Sequence, residues 1–189
     1  MSPALDMDVP DRFTVGTVGP VGQRVFLLHA AQGPAALTVK VEKQQVAVLA
    51  SYLARIVREL GRPGHLPDDL DFDVDVEPAW AVGTIGVSYD KDLDRLVVVM
   101  EEAGAVSEDD DEDEVVFEGV VEVDEDEDEL GASGEVARVL VTREQAAAFA
   151  IRATRLVEAG RPPCPLCGLP LDPSGHDCPR TNGHRPPVT

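Results

Sequence analysis

Apolar and β-branched residues fall into short runs bounded by glycine and proline, and two longer segments carry apolar residues at helical spacing. In the first half of the chain, the runs predict strands at 13–18, 24–30 and 37–41, followed by a helix from Val46 to Leu60. The second half predicts the same order of elements. Its strands begin at Val82, at Arg95 and near Val136, and its helix extends from Ala146 to Val157.

Three matches in the same order indicate that the two halves are an internal repeat. The helical segments align at a constant spacing of 100 positions, and the identical residues include Gln45 with Gln145 and Arg55 with Arg155. Each copy closes with Gly-Arg-Pro. The matched segments are 15–19 with 82–86, 24–28 with 95–99, and 41–57 with 141–157.

The repeat predicts an α+β fold with two βββα repeats in a pseudo-two-fold arrangement, in which antiparallel sheets are each covered on one face by one of two helices. The predicted organisation is a first repeat at 1–63, an acidic linker at 64–78, a second repeat at 79–162 that contains an insert at 105–134, and a zinc-knuckle-like tail at 163–189.

The helix ends carry local signals of their own. Thr142 and Gln145 have the spacing of a capping box at the start of the second helix. Gly61 and Gly160 stand where a left-handed C-cap is expected, and each is followed two residues later by a proline that stops the helix.

The chain has a net charge of −20, and most of this excess belongs to the insert. Between Glu101 and Leu130 there are 17 acidic residues and no basic one, so the rest of the chain carries only −3. Acidic runs repel themselves, and we expect disorder on both sides of the apolar stretch 115–123, which predicts one extra strand or a short hairpin. A solvated loop, a docking site for a basic partner and a calcium site remain alternatives for the insert.

The three cysteines lie close together near the end of the sequence. Cys164, Cys167, His176 and Cys178 form the pattern C-x2-C-x8-H-x-C, which is typical of a tetrahedral zinc site. Four protein ligands leave no open position, so the predicted role of zinc is structural. A redox pair and unmetallated thiols are the alternatives, and His184 is a second choice to His176 as ligand.

Composition and motifs exclude several classes of function. A chain this acidic repels a phosphate backbone, which disfavours nucleic-acid binding. No apolar run is long enough to span a membrane, and residues 1–12 lack the features of a signal peptide, so we expect a cytoplasmic location. Dinucleotide-binding, P-loop and nucleophile-elbow motifs are missing from the sequence. His29 is expected to be a strand side chain rather than a general base, and His65 an exposed loop residue.

Four cations occupy equivalent positions in the two copies. Arg24 matches Arg95 at the second strand, and Lys43 matches Arg143 at the start of the helix. They predict either an anion-binding cleft between the repeats or ordinary surface charges at strand and helix starts.

The sequence resembles an uncharacterised actinobacterial family, described only as a repeat protein of unknown function, along nearly the whole chain except the insert. The resemblance implies no activity and no catalytic residues. Genes of that family tend to lie near genes for a lipid-kinase-like and a histidine-phosphatase-like protein, which implies a shared process. The segments that carry the resemblance are 11–13, 16–19, 42–45, 161–168, 175–176 and 178–180.

The function that these observations predict is a non-catalytic interaction or adaptor module, stabilised by structural zinc, with an unidentified protein partner. The alternative is a small-ligand-binding protein or an enzyme that uses an anion-binding cleft between the repeats. The two differ in the pocket they require, since an enzyme needs convergent polar groups in a deep cleft.

Overall fold

The computed structural model describes residues 5–20, 22–73, 75–104, 134–160, 164–167 and 180, together with the backbone of 120–122. Within these residues the chain forms eight strands and two helices. Their bounds are β1 Leu5–Asp8, β2 Arg12–Val18, β3 Val25–Gln32, β4 Ala35–Val41, α1 Lys43–Leu60, β5 Val82–Asp90, β6 Arg95–Glu102, β7 Val120–Glu122, β8 Val136–Val141 and α2 Arg143–Glu158.

Each half of the chain forms an antiparallel meander of three strands that leads into a helix. In the first half, β2, β3 and β4 are neighbours in a three-stranded sheet, and α1 follows. In the second half, β5, β6 and β8 are neighbours in the same way, and α2 follows. The α+β class with two sheets and two helices is therefore confirmed.

The second sheet has five strands, namely the three of its meander and one more at each edge. Its order is β1-β8-β6-β5-β7, with β1 parallel to β8 at one edge and β7 parallel to β5 at the other. The expectation of purely antiparallel sheets is wrong at these two edges. The strand β1 has only four residues, which is too short for an alternating pattern to reveal it. The strand β7 lies in the apolar middle of the insert, where one extra strand was an alternative.

The chain crosses between the two sheets at two places, which we call the crossing segments, residues 9–11 and 79–81. The first follows β1 of the second sheet and leads into β2 of the first, and the Val9 N–H still donates to the Leu140 carbonyl of β8. The second runs parallel to β4, where the Lys40 N–H donates to the Trp80 carbonyl, and then enters β5. Each half therefore begins beside the third strand of the other half.

One hydrophobic core joins the sheets and the helices. Helix α2 packs on β2 of the first half, and the rings of Phe13 and Phe149 stack there with centroids 4.8 Å apart. The Arg152 side chain adds a hydrogen bond of 2.6 Å from Nε to the Val15 carbonyl. We expected each helix to pack on a sheet face, and for α2 this packing includes a contact with the other half of the chain. No helix in the described part of the chain is long and apolar enough to cross a membrane.

Both helices begin with a capping box, but they end differently. The box predicted at Thr142 and Gln145 is confirmed, since the Gln145 N–H donates to Thr142 Oγ1 and the Thr142 N–H to Gln145 Oε1. At the end of α1, Gly61 has a positive φ of 103°, but its ψ of 176° lies outside the left-handed helical region, so the cap has a different conformation from the predicted one. The left-handed cap predicted at Gly160 is wrong, because α2 ends at Ala159 with φ −68° and Gly160 is not in that region.

The linker packs against the first sheet instead of running free through solvent. Thr14 Oγ1 donates to the Leu70 carbonyl at 2.7 Å, and the ring of Phe72 stacks on His29 with centroids 4.6 Å apart. His29 lies in β3, as expected, and its Nδ1 is 2.9 Å from Thr38 Oγ1. Burial, and then the charge of Arg12, lower the pKa of His29 below its ordinary value.

Candidate functional site: the surface of the helix pair

The two helices lie side by side and antiparallel. Arg143, the first residue of α2, reaches Leu60, the last residue of α1, and Lys43 at the start of α1 lies against Gly160 after the end of α2. The helices pack directly on each other. Since they belong to different halves, their exposed surface is where the two halves meet.

Arg24 and Lys43 come together at the C-terminal end of α2. Arg24 Nη1 donates to the Ala159 carbonyl at 3.1 Å. A β-carbon added to Gly160 would lie 3.1 Å from the Lys43 ammonium nitrogen, which places that charge beside the same helix end. The last carbonyls of a helix have no partner within it and carry partial negative charge, so these two cations of the first half stabilise the helix of the second.

Arg143 and Arg95 occupy the matching place at the C-terminal end of α1. Arg143 Nη1 donates to the Leu60 carbonyl at 3.0 Å, and its Nε and Nη2 donate to Asp94 Oδ1 at 3.0 and 2.7 Å. Arg95 Nη1 donates to the Asp94 carbonyl at 2.9 Å. The hydrogen bond from the Tyr89 hydroxyl, followed by the one from Arg143, holds the pKa of Asp94 below its ordinary value.

The structure therefore brings the four sequence-predicted cations together as two pairs and not as one cluster. The pairs sit at opposite ends of α1, about 25 Å apart at 1.5 Å per residue. Each cation has a structural task at a helix end or a turn. Binding of an anion at either pair stays a prediction.

A groove of about 670 Å³ opens between α1 and α2 on the solvent side. Its floor is apolar, with the buried side chains of Val57, Ala147 and Ala150. Ile151 also lines it and is 44% exposed, which makes it one of the most exposed large apolar residues that the structure describes. Small side chains on both helices leave this space open.

Three arginines line the groove: Arg58, Arg62 and Arg155. None of the described residues that line it is acidic. The four cations predicted from the sequence do not line it, although it lies between the two halves, where an anion-binding cleft was expected. The Thr154 hydroxyl is used within its own helix, since it donates to the Ala150 carbonyl at 2.8 Å. The groove thus has three arginine side chains around an apolar floor.

A smaller groove of about 330 Å³ lies at the equivalent place on α1. Its lining residues Ala47, Ser51 and Arg55 correspond, at a spacing of 100, to Ala147, Ile151 and Arg155 of the larger groove. The guanidinium of Arg55 lies over the Tyr52 ring, 4.4 Å from its centroid. The two grooves differ in chemistry because serine stands where the larger one has isoleucine.

The groove arginines were missed in the sequence, although two signals pointed to them. Arg155 is identical to Arg55 across the repeat, and Arg62 is the middle residue of the first Gly-Arg-Pro. The first feature supports the repeat and the second stops a helix, and neither by itself indicates a groove. The groove exists because the two helices pack across the halves, which local pattern does not predict.

The predicted zinc ligands lie only partly within the described residues. Cys164 is buried, 2% exposed, and Cys167 is partly exposed. His176 and Cys178, and the second-choice ligand His184, lie outside the described residues. In the part of the chain that the structure describes, no three metal-ligating side chains come together. The zinc site stays a prediction.

Comparison with known proteins identifies the family. No curated protein and no solved structure matches the chain. A family model that matches residues 5–178 covers both meanders, both helices and the cysteine tail as far as Cys178. By this match, which extends over most of its length, the chain belongs to DUF3090, a family of proteins of unknown function.

Proposed function

We propose that this protein is a non-catalytic interaction module that docks a partner protein in the groove between α1 and α2. The observation that carries the proposal is the groove itself, an apolar floor with an exposed Ile151 and three arginines at its sides. Exposed apolar surface with a polar rim is typical of docking sites. Covering the exposed part of Ile151 contributes on the order of 1 kcal/mol to binding.

The chemistry of the lining residues supports binding rather than catalysis. Among the lining residues that the structure describes, arginine is the only ionisable type, and it stays protonated at any physiological pH. Thr154 has its hydroxyl committed to a backbone carbonyl. A general base or an activated nucleophile needs a side chain that titrates or sits beside one that does.

A structural zinc ion is the second part of the proposal. The two cysteines with two residues between them, followed by His176 and Cys178, supply the four ligands of a closed tetrahedral site. The burial of Cys164 supports this, because a thiolate ligand is shielded from solvent in such a knuckle. Zinc would stabilise the tail, which has too few apolar residues to fold by burial alone.

Duplication of one βββα unit is the third part. The paired strand orders, the paired capping boxes and the paired cations at helix ends support it, because each feature recurs with the roles of the halves exchanged. The acidic segment between Glu101 and Leu130 is a separate candidate surface for a basic partner.

A small-ligand-binding protein is the second candidate. The volume of the groove, about 670 Å³, lies within the range of pockets that hold small molecules. Under this alternative, the arginines of the groove would bind the anionic group of the ligand.

Site-specific photo-crosslinking tests the proposed function. A photoreactive side chain placed at Ile151 should crosslink to one protein of defined mass in cells of the native host. The same side chain at Leu93, which is 53% exposed in the turn between β5 and β6 and does not line the groove, should not. Equal crosslinking at both positions, or none at Ile151, would contradict docking at the groove.

A further inference from the structure

We infer that the partner presents to this groove a short acidic segment with an apolar side chain between its carboxylates. This inference rests on the proposed function and deepens it. It names the chemistry of the partner by what the groove offers, namely three arginine side chains and an apolar floor.

Charge complementarity is the first argument. Arg58, Arg62 and Arg155 line the groove, and none of its described lining residues carries a carboxylate, in a chain whose net charge is −20. A guanidinium binds a carboxylate with two parallel hydrogen bonds, which gives direction as well as attraction. Between the arginines, the partly exposed Ile151 and the buried Val57 accept an apolar side chain.

The negative charge of the chain limits how large an anionic partner surface can be. An extended anionic surface, such as a bilayer or a nucleic acid, also meets the acidic segment between Glu101 and Leu130, which carries 17 negative charges, and is repelled where the two come within a Debye length of about 10 Å. A short segment reaches the three arginines while the remainder of its protein stays away. The groove therefore suits a peptide segment better than an anionic membrane.

The chain already binds such a segment within itself. Residues 68–73 of the linker read Asp-Asp-Leu-Asp-Phe-Asp, and they lie against the first sheet. Asp69 pairs with Arg12, Asp71 pairs with Arg152 at 3.0 Å, and Phe72 stacks on His29. Arginines that hold alternate carboxylates on either side of a half-buried apolar residue, Leu70, are thus a recognition mode that this fold supports.

Selection of peptides by the full chain tests the inference. The immobilised protein would be presented with a random peptide display library, and the enriched peptides would be measured individually by fluorescence anisotropy. We expect peptides that alternate Asp or Glu with Leu, Phe or Ile. Their affinity should fall about tenfold in Arg58→Glu and in Arg155→Glu, because each variant replaces a charge-assisted hydrogen bond by repulsion.

Matched variants separate the groove from general charge. Lys91→Glu makes the same charge change on an exposed turn and should keep wild-type affinity. Ile151→Ala keeps every charge and should weaken binding by removing the apolar contact, so the inference can be tested even if an arginine variant folds poorly. Thermal unfolding of each variant identifies loss of fold.

Three results would overturn the inference: enrichment of neutral or basic peptides, equal weakening in Lys91→Glu, or no enriched peptide at all. A tight small-molecule anion that competes in the same variants would instead favour the second candidate function. If crosslinking at Ile151 still captures a partner in any of these cases, the proposed docking function stands and only the chemistry assigned to the partner fails.

Discussion

Gln45 and Gln145 hold equivalent positions in α1 and α2, and each fastens the start of its helix to the other half of the chain. Gln45 Nε2 donates to the carbonyls of Val82 and Gly83, where the chain enters β5. Gln145 Nε2 donates to the carbonyl of Pro10, where the chain is about to enter β2. Both side chains are buried, and the oxygen of each accepts the N–H of the residue that caps its own helix.

Gln145→Ala should lower the free energy of unfolding by about 1–3 kcal/mol, because it leaves the part-buried N–H of Thr142 and the buried carbonyl of Pro10 without partners. Gln45→Ala should have an effect of similar size for the same reason. The measurement is urea unfolding followed by circular dichroism. Gln44→Ala is the matched control for Gln45→Ala, since Gln44 is exposed on α1. Its substitution should lower the free energy of unfolding by less than about 0.5 kcal/mol. Equal effects at Gln44 and Gln45 would contradict the bridging role.

The stability should fall as the pH drops below the ordinary pKa of histidine. Burial, and then Arg12, lower the pKa of His29 in the folded chain, so the unfolded chain takes up a proton more readily. The contribution of His29 is complete above about pH 6.5 and is lost progressively below it. Unfolding in urea at about pH 7.5 and about pH 5.5 measures the difference.

His29→Gln should reduce this pH dependence, because glutamine does not titrate. The control is His65→Gln, since His65 is exposed, with 89% of its side chain accessible, and only pairs with Asp68 at 3.6 Å. It should retain the wild-type difference between the two pH values. If His29→Gln kept the wild-type difference in stability between the two pH values, the pH dependence would belong to other groups.

Protein purified without added metal should contain about one zinc per chain by elemental mass spectrometry. Cys164→Ser and Cys167→Ser should lose most of it, since each removes a thiolate ligand. Leu166→Ala lies between them, changes an exposed side chain and should keep the metal. Three reactive thiols and no metal in the wild-type protein would exclude the zinc site and leave the redox alternative.

We expect the insert to contain one part that stability does not require and another, β7, that supports β5. Deletion of 106–114 should leave the melting temperature unchanged. Deletion of 106–129 also removes β7, which pairs with β5 over three residues, and should lower the stability by about 1–3 kcal/mol while folding stays cooperative. The shortened loop still closes, because the Glu102 N–H donates to the Glu135 carbonyl across its ends. An equal loss in both deletions would contradict this division.

Local pattern predicted those elements whose signals lie within a few residues of each other. The turn glycines delimited the strands of both meanders, and Thr142 with Gln145 marked the start of α2 correctly. The strand β1 and the crossing segments escaped prediction because their partners, β8 and β4, are distant in sequence. Strand pairing over such distances depends on tertiary packing rather than on composition.

The functional surface was less predictable than the fold. Equivalent cations were recognised from the repeat, but their partners turned out to be helix ends of the opposite half, as for Arg143 and Leu60. The groove arginines come together only because α1 and α2 pack side by side. The sequence of one helix alone does not predict that packing. Arg62 shows the difficulty, because its motif also has an ordinary meaning as a helix stop.

The crossing segments have a consequence for the origin of the chain under the proposed duplication. A single half would leave the free edge of β4 and the amide of Gln45 without the partners that 79–83 now supply. A second identical copy would offer them, so the ancestor would be an intertwined homodimer whose copies exchange the segments that lead into their first strands. Fusion of the two genes converts that association into an intramolecular one, and the assembly no longer depends on protein concentration.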